Sequence, residues 1–167
     1  MLLLLKQLHQ LRSGIALPRP PGGSCAFRHV DAGSCNGCEH ELNAVMSPYY
    51  DLPRFGWNLV ASPRHADVLL VTGAVTVRMK EPLLRAWEAM PEPRVVAALG
   101  NCALGEDWLG MDKEQHGGVD QLLTVAIRIP GCPPSPEEIA RHLSSALADR
   151  ALGLGSSRTA GRSQASD

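Results

Sequence analysis

The sequence predicts an α/β fold: an open parallel sheet with flanking helices. Four short runs rich in Val, Ile, Leu and Ala, at residues 26–30, 68–71, 95–99 and 125–130, alternate with stretches of helical periodicity. That alternation is the rhythm of βαβ units. The chain has 167 residues, of which 44% are hydrophobic and only 4% aromatic, so it can build one core, made mainly of aliphatic side chains.

Taken in order, residues 1–17 place Leu4, Leu8, Leu11 and Ile15 on one helical face, with Lys6, Gln7, Gln10 and Arg12 elsewhere. This predicts an amphipathic helix that packs on its own domain, docks on a partner or lies at a membrane surface. Pro18, Pro20, Pro21, Gly22 and Gly23 mark residues 18–25 as a linker, where Cys25 takes an ordinary structural or linker role. The α/β domain is expected over 26–150. Its helices are expected at 39–46, at 81–90 with Pro82 in the first turn, and at 136–147 with Ser135 as N-cap. Residues 151–167 are rich in Gly, Ser and Ala without apolar periodicity, which predicts a disordered tail.

Lys plus Arg number 16 and Asp plus Glu 17, so no basic excess exists to meet a phosphate backbone and nucleic acid is not an expected partner. The run Leu2 to Leu5 is broken by Lys6, too short for the apolar core of a signal peptide or a spanning helix. A cytoplasmic setting follows, in which cysteines serve metals or redox chemistry more often than structural bridges.

Four of the five cysteines follow expected strands: Cys35 and Cys38 after the first, Cys102 after the third and Cys132 after the fourth. Ligands of open parallel sheets bind beyond the carboxyl ends of the strands, so these thiols converge on the rim where chemistry is expected. The second expected strand ends in Thr72-Gly73-Ala74, a tight small-residue turn on the same rim. One close pair and two distant single cysteines, the last followed by proline, suit a cuboidal iron–sulfur cluster better than paired zinc knuckles. Gly33, Gly37, Gly100 and Gly131 beside the thiols would let backbone approach closely. Two other readings stay open: a zinc-stabilised interaction module using the same four thiolates, and a thiol–disulfide protein using Cys35 and Cys38 alone.

The stretches SCNGCEHEL (34–42), ADVLLVTGAVT (66–76), MPEPRVV (90–96), LGNCA (99–103) and PGCPP (130–134) resemble the small cluster-bearing subunit shared by respiratory complex I and membrane-bound, energy-converting nickel–iron hydrogenases, including formate hydrogenlyase. The resemblance covers about residues 31–147, in order. It implies a flavodoxin-like fold with one [4Fe–4S] cluster at the carboxyl ends of the strands, held by Cys35, Cys38, Cys102 and Cys132. It also implies a large catalytic partner subunit, a ferredoxin-like iron–sulfur subunit, membrane subunits and a peripheral place on the inner face of the cell membrane. The spaced pair Cys35-Asn36-Gly37-Cys38 resembles the hydrogenase branch more than the adjacent pair usual in complex I. A quinone near Thr72, Arg78 and Met79 is implied by likeness to the complex I branch.

Glu39 and Glu41 fall in the first turn after Cys38, and Glu41 is expected to take up a proton when the cluster is reduced. His40 and His65 read chiefly as surface or capping residues. Ser34 and Asn101 read as donors to cluster sulfur or as turn residues. No phosphate-binding glycine motif supports ATP or dinucleotide binding.

Overall fold

The computed structural model describes residues 24–106 and 114–151. The expected helix at 1–17, most of the linker and the tail beyond 151 lie outside them. Strands β1 (Cys25–Asp31), β2 (Trp57–Leu59), β3 (Val68–Thr72), β4 (Val95–Leu99) and β5 (Ile127–Ile129) form one parallel sheet in the order β2-β1-β3-β4-β5. Helices α1 (Gly37–Val45), α2 (Val77–Glu88) and α3 (Pro136–Ala151) complete the domain. This is the flavodoxin-like order, with its switch point between β1 and β3.

Helices on both faces explain why β3 and β4 read as unbroken apolar runs: all ten of their residues are buried. One face packs Phe27, Leu70, Leu99 and Ile129 against Leu42 and Val45 of α1 and Ile139 and Leu143 of α3. The other packs Leu69, Val71, Val96 and Ala98 against Leu83 of α2 and Met90 beyond it. Each fully buried Leu or Val stabilises the fold by about 1.5–3 kcal/mol relative to exposure, before entropy is counted.

Three elements differ from the sequence expectation. The edge strand β2 was not anticipated, because Trp57-Asn58-Leu59 is too short to show alternation and pairs only with the start of β1. That pairing draws Cys25 out of the linker and into β1, where it faces Trp57 in the register and is buried. Burial, assisted by Asp67, pushes its thiol up to about 12, the behaviour of an inert core residue. Helix α2 begins at Val77 rather than near Glu81, so Pro82 lies inside it rather than in its first turn. The Thr76 hydroxyl caps it by accepting the Met79 N–H at 3.3 Å, a start hidden by the β-branched Val75-Thr76-Val77 run. Pro82 is on the exposed side of α2, where the backbone carbonyl it leaves unbonded can be hydrated. The expected Ser135 cap is present as a capping box: its Oγ accepts the Glu138 N–H, and the Glu138 carboxylate accepts the Ser135 N–H at 2.9 Å.

Candidate metal centre

Because every strand runs the same way, the loops after β1, β3, β4 and β5 share one edge of the sheet. After β1, the Asp31 carboxylate accepts the N–H groups of Gly33 (2.9 Å) and Ser34 (2.8 Å). Desolvation is the largest single influence on Asp31 and opposes ionisation, yet the hydrogen bonds from Ser34 and Gly33 together hold its carboxyl below the ordinary value. The Ser34 hydroxyl accepts the Asn36 N–H at 3.1 Å, so Ser34 shapes the turn. Asn36 then adopts a left-handed conformation (φ 72°) and starts α1, a conformation asparagine tolerates better than most residues. The result sets Cys35 out to solvent and Cys38 half-buried in the first helical turn.

The loops after β4 and β5 are stitched together through Asn101. Its N–H donates to the Gly131 carbonyl at 2.8 Å, and its side-chain Oδ1 accepts the Gly131 N–H at 2.7 Å. Asn101 thus fixes the Cys102 loop against the Cys132 loop. Gly100 shows why glycine is needed: with φ 89°, a Cβ there would stand 2.5 Å from the Cys38 Sγ. Gly37 has no such requirement, since its Cβ would meet the Cys35 Sγ at an ordinary 3.6 Å.

Burial, then Glu39, then Cys102, Cys35 and Cys132 push the Cys38 thiol up to about 12, so all three other rim cysteines lie within electrostatic reach. Binding a metal group there must displace a proton. Cys132 and Cys35 are exposed, while Cys38 and Cys102 are half-buried. Among the described residues, no three His, Cys, Asp or Glu side chains close on a point that could hold a single metal ion. The donor set fits an iron–sulfur cluster: four thiols from three strand ends, with the glycine at 100 leaving space for the Cys38 sulfur.

Beside these thiols lies a polar cluster that the sequence reading missed. The Thr72 hydroxyl, fully buried at the end of β3, donates to the Glu39 carboxylate of α1, and His29 Nε2 of β1 lies 2.9 Å from the Thr72 hydroxyl oxygen. A carboxylate donates no proton, so the single Thr72 proton points to Glu39 and His29 must donate through Nε2–H. Burial holds His29 below its ordinary imidazole value, with Arg28 acting the same way and Glu39 and Asp31 opposing. The available signal was a Thr ending an otherwise aliphatic strand and a His on the inward side of β1.

The other expected residues are placed as follows. Glu41 is half-buried on α1, within electrostatic range of Tyr50. His40 is exposed. His65 lies in a turn before β3, at the amino ends of the strands, so a five-residue strand of about 16 Å separates it from the rim. Met79 packs on the α2-side core and Arg78 is exposed. Thr72, engaged by Glu39 and His29 and wholly buried, presents no open surface to a quinone.

The NADH ubiquinone oxidoreductase 20 kDa subunit profile matches residues 35–146, a span that contains all four rim cysteines. The chain belongs to this family. It is 47% identical over 121 residues to formate hydrogenlyase subunit 7 of Escherichia coli K12, covering 71% of this chain and 46% of that protein. It is 44% identical over 119 residues to the probable membrane-bound hydrogenase subunit mbhJ of Pyrococcus furiosus, covering 71% of each. An NADH-quinone oxidoreductase subunit of Chlorobium limicola is 40% identical over 109 residues, covering 61% of this chain and 54% of that protein. The chain thus spans about half the length of two of these relatives. Among solved structures, a chain of the archaeal membrane-bound sulfane sulfur reductase superposes with TM-score 0.69 at 28% identity, over 78% of this chain and 72% of that one. The fold of this 20 kDa subunit family member also matches a chain of an NAD+-reducing [NiFe]-hydrogenase, with TM-score 0.59 at 17% identity, covering 78% and 92%. Among the described residues no helix is long and apolar enough to cross a membrane.

Proposed function

We propose that this chain is the electron-transfer subunit of a membrane-associated, hydrogenase-like or complex I-like oxidoreductase and binds one [4Fe–4S] cluster through Cys35, Cys38, Cys102 and Cys132. The observation that carries the reading is the gathering of these four thiols on one rim, with Cys38 within reach of the other three. Such a cluster supplies one-electron transfer. The chain's own part is to hold the four sulfurs: Asp31 and Asn36 set the Cys35–Cys38 turn, and Asn101 locks the other two loops together.

The exposed side carrying Cys35 and Cys132 is where a large catalytic subunit exchanges electrons with this one. Substrate chemistry, whether with hydrogen or quinone, belongs to that partner. Membrane subunits and a ferredoxin-like iron–sulfur subunit complete the assembly, with this chain peripheral on the inner face. Relatives named for hydrogenase, formate hydrogenlyase and NADH-quinone oxidoreductase support an oxidoreductase subunit, and the hydrogenase-type relatives quoted share more identity than the quinone-type one.

The test is metal and sulfide analysis of the anaerobically purified complex, with EPR after reduction. The expected result includes about four irons and four sulfides assigned to this subunit, lost together with one cluster signal when Cys102 is changed to Ser. Zinc without sulfide in this subunit overturns the redox reading and leaves a structural module.

A further inference from the structure

We infer that Glu39 and Thr72 are positioning residues for the metal centre, clamping the first turn of α1, and with it the Cys38 thiol, onto the ends of β3 and β4. The inference rests on the cluster-binding reading above. Thr72 and Leu99 are register partners at the ends of adjacent strands. Glu39 is tied to the hydroxyl of the first, while the Sγ of its neighbour Cys38 lies over Gly100, the residue after the second. Two consecutive residues of one helical turn are therefore held by two neighbouring strand ends.

Asp31 and Ser34 shape the turn that leads into α1 but do not reach its first helical turn. Asn36 makes no side-chain cap, and the helix has nine residues, too few to be stable without tertiary contacts. Stability alone does not account for the clamp. A fully buried hydroxyl and a partly buried carboxylate and imidazole meet here next to Cys38, and Glu39 Oε2 is buried with no hydrogen-bond partner. Apolar side chains would fill the same space without that desolvation cost. What the polar version adds is a fixed distance and orientation for the residue next to a thiol, and a carboxylate close to where an added electron would reside.

The two contributions can be separated. Glu39→Gln keeps an oxygen for the Thr72 hydroxyl but removes the acid, so an added electron meets less repulsion. Thr72→Ser keeps the hydroxyl, and Thr72→Val keeps the volume without it. Each variant is introduced into the complete complex, which is assayed for iron and sulfide and titrated by EPR for midpoint potential. The expected results are full iron content throughout, a higher midpoint potential in Glu39→Gln, a shifted signal and potential in Thr72→Val, and wild-type behaviour in Thr72→Ser. A wild-type signal and potential in Thr72→Val, or equal shifts in Thr72→Ser and Thr72→Val, overturns the inference. If Thr72→Val does not assemble, Thr72→Ala takes its place in the same comparison with Thr72→Ser. A wild-type complex without iron and sulfide in this subunit is a different failure, that of the electron-transfer reading itself.

Discussion

The two faces of the sheet are built alike up to the rim and differ there. On the α2 side the apolar packing continues past the strand ends, through Ala32 and Val75, both buried. On the α1 and α3 side it stops at Leu70 and Leu99 and gives way to His29, Thr72, Glu39 and the thiols. One face is therefore apolar through to the rim, while the other is apolar below and ends in polar groups and thiols.

Changing one cysteine from each level puts this contrast under the greatest strain. Cys132→Ser should abolish the cluster signal and its iron entirely, with the apo fold retained. Cys25→Ser should leave the cluster signal intact and lower unfolding free energy by about 1–3 kcal/mol, because it places a hydroxyl in an apolar site. A cluster lost in Cys25→Ser would show that the levels are not independent. On the structural face, Leu83→Ala removes a fully buried side chain of α2. It should cost about 2–5 kcal/mol in denaturant unfolding, with the EPR spectrum unchanged.

A smaller effect is expected at the start of α3. Ser135→Ala removes the capping box that follows the Cys132 loop and should cost about 1 kcal/mol. The smallest is the pH dependence carried by His29. Its imidazole is held below the ordinary 6.5 in the folded chain, so the unfolded chain takes up the proton first. Its contribution is therefore fully present above pH 6.5 and is lost as pH falls from there towards the lower folded value. Urea titrations across that window should show a shallower acid decline in His29→Gln than in wild type. His142, lowered by burial and by Arg141, adds to the same decline in both proteins.

The placement of the four thiols on one rim is legible where it is local in sequence. Each rim cysteine follows an aliphatic run, and the SCNGC and GNC stretches announce their turns without reference to the rest of the chain. The His29, Thr72 and Glu39 cluster was not legible, because it joins residues 43 and 33 positions apart through the register of β1 on β3. Nothing in the spacing of those three residues reveals a contact. The same limit hid β2, whose pairing with Cys25–Phe27 is a tertiary event. The start of α2 was displaced for a different reason: β-branched residues before a cap imitate a strand. The sequence places Glu39 and Glu41 alike in the first turn after Cys38, whereas the side chain turned to the strand end is that of Glu39.

The outward setting of Cys35 and Cys132 over a closed core bears on how the protein is made. Among the described residues both apolar clusters lie beneath the rim without drawing on Cys35 or Cys132, so in the proposed role the polypeptide can reach its folded shape first and receive its inorganic part afterwards, from the open side. Maturation and folding then become separate cellular events. In that proposed role, until a partner subunit covers that side, the newly loaded site stands open to oxygen, which makes prompt assembly a form of protection.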